Sequence, residues 1–155
     1  MNRFFVSVLL ICSSLPLLAQ DVPPMADVFK AMPDSLLPYL SKNNRLDMID
    51  FMEAHMKAEV TNLMEGSSEM TALSADSLSL RMSDVLTVDM SLSKVEEPID
   101  SSRYVVLVRR TYSLNENQAE TIVDTYSSAW RHLQQVTERS SLLKRDEKLL
   151  TPVQR

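Results

Sequence analysis

The stretch SLSLRMSDVLTVDMSL, residues 77–92, decides the fold class. Leu78, Leu80 and Met82 alternate with Ser79 and Arg81, and Leu86, Val88, Met90 and Leu92 alternate with Thr87, Asp89 and Ser91. Successive side chains of a strand point to opposite faces, so a period of two marks a strand with one face buried and one wet. Ser83-Asp84 between the two runs is turn chemistry, as is Ser74-Ala75-Asp76 before the first. Glu69–Leu73 reads as a weaker strand upstream, and the valine-rich Tyr104–Tyr112 as a further strand downstream. Glu96–Ser102, with Pro98, reads as a polar loop between strands. The result is an antiparallel meander whose apolar face needs a cover.

Upstream the period changes to that of a helix. Met25, Val28, Phe29 and Met32 recur at 3.6-residue spacing, Pro24 suits a first helical position, and Pro33 stops the run. Asp34-Ser35 can cap a short turn carrying Leu36, Leu37 and Leu40, with Pro38 keeping it short. After the polar joint Ser41–Asn44, with Asn43 or Asn44 as cap, a second helix is predicted. It places Met48, Ile49, Phe51, Met52 and Met56 in one apolar arc with His55 inside it, and Asp47, Asp50 and Lys57 opposite. The expected fold is α+β, with N-terminal helices packed on an antiparallel β-meander and a C-terminal helical or disordered tail.

Beyond Ser113 two readings stand. Ala119, Ile122, Val123, Tyr126, Ala129, Trp130 and Leu133 fit a helical stripe, with Ser113 and Glu116 spaced as a capping box. Equally, Glu120–Tyr126 can return as a strand beside 104–112. From Gln134 the chain is charged, and Leu142, Leu143, Leu149 and Leu150 suggest a marginal helix or a disordered tail. The expected organisation is a signal peptide over 1–19, one α+β domain over 20–133 and a charged tail over 134–155.

Arg3, the apolar residues Phe4–Ile11 and Leu15–Leu18, and Ala19 before Gln20 read as an export signal, too short and too interrupted to span a bilayer. Localisation in the periplasm or outer envelope of a Gram-negative bacterium is expected, with no transmembrane segment after cleavage. Cys12 follows Ile11, which is not the small residue that lipidation wants, and cleavage after Ala19 removes the lone cysteine and with it thiolate chemistry. The single glycine, Gly66, leaves no material for a Walker loop or a GxGxxG fingerprint, and few left-handed turns are expected. Residues 20–100 carry six Lys/Arg against fifteen Asp/Glu, while 101–155 carry nine against six. That acidic front half argues against nucleic acid as partner.

Met32-Pro33-Asp34-Ser35-Leu36-Leu37-Pro38-Tyr39-Leu40, followed by Asn43-Asn44-Arg45-Leu46-Asp47-Met48-Ile49-Asp50, resembles an uncharacterised family of secreted domains of unknown function from the Bacteroidales. Looser matches continue at Val60-Thr61-Asn62, Thr71-Ala72-Leu73 and Tyr126 with Trp130, so that the resemblance spans roughly residues 25–133. It implies an exported, Gram-negative setting and a strand before Tyr126 and Trp130. It implies no activity, cofactor or catalytic residue, and the polar tail after Trp130 departs from the proline- and aromatic-bearing strands expected there.

Chemistry-bearing residues are few. Met48, Met52, His55 and Met56 on one helix face offer thioethers and an imidazole, donors that Cu(I) accepts, yet the same methionines suit an irregular core. Asp47, Asp50 and Glu53 offer carboxylates along one helix, with a solvated face as the plainer account. His132 beside Trp130 and Arg131 can act as a base, but no nucleophile pairs with it in the sequence, and no serine sits in G-x-S-x-G. Asn43-Asn44-Arg45 at a helix start can receive an anion or simply cap the helix. No catalytic residue, cofactor or firm metal site is expected. The functional expectation is a non-catalytic binding or assembly module of the cell envelope, partnered by another envelope protein. Two alternatives stand beside it: a hydrolase or metal-dependent enzyme assembled from scattered Asp, Glu and His, and a copper-handling protein.

Overall fold

The computed structural model describes residues 22–115 and 117–141. Helix α1 (Met25–Ala31), a single 3-10 turn (Asp34–Leu36) and helix α2 (Lys42–Glu53) precede seven strands. These are β1 (Ala58–Thr61), β2 (Ser67–Leu73), β3 (Ser77–Arg81), β4 (Leu86–Ile99), β5 (Ser102–Asn115), β6 (Gln118–Ser127) and β7 (His132–Ser141). The strands lie in sequence order in one antiparallel sheet, each paired with the next.

The alternation over 77–92 sets the register. Leu80 pairs with Val88 and Leu78 with Met90, so the leucines of β3 and the apolar residues of β4 share one face. Val88 continues to Arg110, and Met90 to Val108. On β6 Arg110 meets Ile122 and Val108 meets Asp124, and on β7 Asp124 meets Gln135. This face is apolar from Leu78 through Met90 to Val108 and turns polar at Asp124 and Gln135.

The expected arrangement of N-terminal helices packed as a group on a β-meander is overturned. The molecule is mostly a seven-stranded antiparallel sheet with two short helices, and is mixed α/β in that sense. Helix α1 packs on α2, and α2 packs on β1 and β2 at one side of the sheet. Length explains the difference. The 12 residues of α2 span about 18 Å, whereas the 14-residue strands β4 and β5 run to about 47 Å and seven strands to about 29 Å across. Two such helices are too small to form a layer over the whole sheet. Their buried residues Met25, Phe29, Met48 and Ile49 join the strand side chains Met70, Leu80, Val88 and Val106 in one core.

Of the two readings beyond Ser113 the strand is the one found, and the expected helical or disordered tail is corrected. Residues 118–127 are strand β6, and the helical stripe is divided, with Ile122 and Tyr126 on the core face and Val123 on the other. The β-branched Thr121, Ile122, Val123 and Thr125 favour extended backbone, and β5 offers an open ladder of N–H and C=O groups to pair with. Residues 134–141, expected to begin a helical or disordered tail, form most of β7. The predicted loop at 96–102 shrinks to two residues, Asp100 and Ser101, between paired Ile99 and Ser102. The signal-peptide residues 1–19, Cys12, Glu116 of the proposed capping box and Leu142, Leu143, Leu149 and Leu150 lie outside the described residues.

The scarcity of glycine does not prevent left-handed turns. Asp100 and Ser101 have φ of 50° and 65°, the double positive that matches the right-handed twist of a tight hairpin. His55, Glu65 and Trp130 also have positive φ, and Gly66 does not. Asp and Ser hydrogen-bond locally and so tolerate this region better than most side chains. Arg131 then ties the Asp100 turn to the β6–β7 turn, donating to Asp100 Oδ1 at 2.9 Å. The Arg131 hydrogen bond, joined by one from Ser127, holds the Asp100 carboxyl below its ordinary value.

Candidate functional site

The three segments that converge at one end of the sheet are the β1–β2 loop, the β3–β4 turn and the corner carrying Tyr39. Asn62 builds the first of them. Its side-chain oxygen accepts from the N–H groups of Met64 and Gly66 at 2.9 and 3.1 Å, and its Nδ2 donates to Ser68 Oγ at 2.9 Å. Ser68 Oγ passes the connection on, donating to the Met82 carbonyl at 2.8 Å. The Leu63 N–H donates to the Tyr39 carbonyl at 2.9 Å, and the Ser113 N–H to that of Val85 at 2.8 Å.

Between these segments lies a cavity of about 450 Å3 lined by Tyr39, Asn62, Met64, Gly66, Ser67, Met82, Ser83, Asp84, Val85, Leu86 and Tyr112. That volume falls among the clefts of about 300–1,000 Å3 that take small ligands. Met82 and Leu86 are buried and form apolar wall, whereas Tyr39, Met64 and Val85 are exposed. Leu63, between Asn62 and Met64 of the lining, and Leu114, two residues past Tyr112 of the lining, are exposed too, so exposed apolar surface continues past the cavity itself. Asp84 is the charged member of the lining, and no cation pairs with it among the described residues. On the segments that lead to this end, Lys57 pairs with Glu59 and Arg81 with Glu69.

A second polar constellation lies on the core face of β5–β7. Asp124 is buried and accepts from three side chains: Arg110 Nη1, His132 Nε2 at 2.9 Å and Gln135 Nε2 at 2.9 Å. Arg110 also reaches across to the Leu36 carbonyl at 3.1 Å. A carboxylate accepts, so neutral His132 carries its proton on Nε2 and keeps the Nδ1 lone pair. The His132 side chain is half exposed, and the Tyr126 ring stands edge-on to it at 5.4 Å between centroids and against Trp130 at 5.8 Å. Orienting carboxylate and half-exposed imidazole are the first two members of a proton-transfer set.

The residues singled out in the sequence scatter. Met48 is fully buried in the core, Met52 is half-buried, and His55 and Met56 are exposed beyond the end of α2. Helix α2 stops because the Met56 N–H turns back to the Phe51 carbonyl at 2.8 Å and the His55 N–H to that of Met52 at 3.1 Å. This double closure puts His55 at the left-handed position past the helix end, with φ 56°. The four side chains therefore do not share one helix face, and a common metal would require Met48 to leave the core. Asp47, Asp50 and Glu53 lie exposed on α2. Among the described residues no group of three or more His, Cys, Asp or Glu converges as a metal site.

Asn43-Asn44-Arg45 is absorbed by the fold. Ser41 is the cap, accepting from the Asn44 N–H at 3.1 Å while the Asn44 side chain receives the Ser41 N–H at 3.1 Å. Arg45 is buried, stacked over Phe29, and donates to the Met32 carbonyl at 2.8 Å and to Asp34 at 2.8 Å. Sequence reasoning named His132 but missed Asp124. A carboxylate inside the run Thr121-Ile122-Val123-Asp124-Thr125-Tyr126 was the available signal, since an acidic residue on the core face of a strand needs a donor.

Among the described residues no helix is long and apolar enough to cross a membrane. No match was found among curated proteins or solved structures. A family model described as "Protein of unknown function (DUF3256)" matches residues 15–148.

Proposed function

We propose a function for a chain that belongs to the DUF3256 family, a family of unknown function: it is a non-catalytic binding or assembly module of the cell envelope. The observation that carries this reading is the cavity of about 450 Å3 with its exposed apolar rim of Leu63, Met64, Val85 and Leu114. Exposed apolar surface around a concave site costs solubility and is found where a partner covers it. Export to the periplasm or outer envelope of a Gram-negative bacterium, of the Bacteroidales kind, rests on Arg3, the apolar run from Phe4 to Leu18 and Ala19.

The test is site-specific photo-cross-linking in the native host, with the cross-linker at Met64, at Val85 and, as control, at exposed Glu97. The expected result is a chain that fractionates with the envelope and forms a discrete adduct from positions 64 and 85 only. Adducts equally from position 97, none from any position, or a chain retained in the cytosol would overturn the proposal.

The Asp124–His132 pair favours a second reading, an enzyme in which Asp124 orients His132 and His132 Nδ1 takes a proton. Its nucleophile would have to be a water or a group on the substrate. Hydrolysis of an activated ester by the purified chain, lost in His132→Ala and retained in Val85→Asp, would replace the binding reading by this one. Equal background rates in all three proteins would end it.

A further inference from the structure

We propose that the cavity receives a segment of another polypeptide in which an apolar side chain stands next to a lysine or arginine. The inference rests on the binding-module reading and adds the chemistry of the partner. Its first support is the shape of the apolar surface. A small molecule filling the cavity would leave Leu63 and Leu114 in water, because they stand beside the lining and are not part of it. A polypeptide seated with one side chain in the cavity covers the rim as well, the arrangement of a central anchor ringed by contacts that exclude water.

Charge complementarity is the second support. Asp84 lines the cavity and is exposed, and Glu65 lies on the adjoining β1–β2 loop; neither meets a cation among the described residues. Lys57, just before β1, and Arg81, at the end of β3 leading into the Asp84 turn, are already paired with Glu59 and Glu69. A partner that brings its own cation satisfies Asp84 without breaking either pair. A second copy of this chain does not. In a two-fold interface a patch meets itself, which would bring two Asp84 carboxylates into one contact. An anionic lipid surface is disfavoured by the same charges.

The experiment is selection of a displayed random heptapeptide library on the full chain and on its Asp84→Lys and Val85→Asp variants, each shown to melt like the parent. The expected outcome is enrichment of peptides that place an apolar residue beside Lys or Arg, loss of enrichment in Val85→Asp, and a switch towards acidic neighbours in Asp84→Lys. A synthetic peptide of the enriched sequence should bind Asp84→Asn about three- to fivefold more weakly, the worth of one exposed ion pair. Apolar peptides with no basic preference would overturn this inference and leave the binding-module reading standing. No enrichment over Val85→Asp would overturn both. Flotation with phosphatidylglycerol vesicles, or a dimer in sedimentation that Val85→Asp abolishes, would overturn it in favour of a lipid or a second copy.

Discussion

Arg45 donates to the Met32 carbonyl at 2.8 Å from thirteen residues further along the chain, with its side chain almost wholly buried. It also reaches the Leu40 carbonyl at 3.5 Å, so one guanidinium closes both ends of the corner from Met32 to Leu40. Arg45→Met keeps the apolar contact with Phe29 but leaves both carbonyls without a donor. A loss of about 2–4 kcal/mol is expected in urea unfolding, at the unsatisfied-group cost of about 1–3 kcal/mol per carbonyl. Asp34 is largely exposed, so Asp34→Ala should cost well under about 1 kcal/mol. Equal effects from the two variants would show that the ion pair, and not the buried hydrogen bonds, holds the corner.

Asp124 anchors the outermost strand. His132 and Gln135 both belong to β7, and both donate to it. Asp124→Ala leaves Arg110 partly buried and unpaired, which is expected to cost about 3–5 kcal/mol. Amide hydrogen exchange should accelerate in β7 before β2 or β3, whose core contacts do not involve this carboxylate. Uniform acceleration across the sheet would contradict the anchoring role.

His55 holds a left-handed conformation that glycine adopts without a Cβ penalty. Its exposed ring makes no hydrogen bond among the described residues. His55→Gly is therefore expected to stabilise the chain by about 0.5–1 kcal/mol, and His55→Val to destabilise it by about 1 kcal/mol or more. Thermal melts of the three proteins decide it. A loss of stability in His55→Gly would mean that the imidazole has a role the hydrogen-bond pattern does not contain.

Asp100 gives the pH dependence. Its carboxyl is depressed by Arg131 and Ser127 below the ordinary 3.8. A depressed carboxyl contributes stability that is present above the unfolded value and lost as pH falls through the folded one. The Asp100→Asn protein should thus differ from the parent near neutrality and converge on it below pH 3.8. The pair is solvent-exposed, so the difference in melting temperature will be small and should shrink in high salt. A difference that persists in strong acid would rule out this linkage.

The period of two over Leu78–Leu92 was enough to place β3 and β4 and their shared apolar face, because alternation is a property of adjacent residues. Pro33 and the apolar spacing were likewise enough for α1. The run 118–127 was not legible in this way. Its apolar residues satisfy either period, and only the ladder of β5 selects the strand. His55 was misplaced for a related reason: helical spacing continues on paper past Glu53, while the backbone has already turned.

A chain of alternating strands preceded by two short helical stretches, with too little glycine for a Walker loop, is readable from local periodicity and residue type alone. That seven strands make one sheet, that Asp124 faces Arg110 and His132, and that Tyr39, Met64, Val85 and Tyr112 line the same cavity emerge from the folded chain alone. Those residues are tens of positions apart, and their meeting depends on strand register, which shifts a side chain to the other face with every single-residue step.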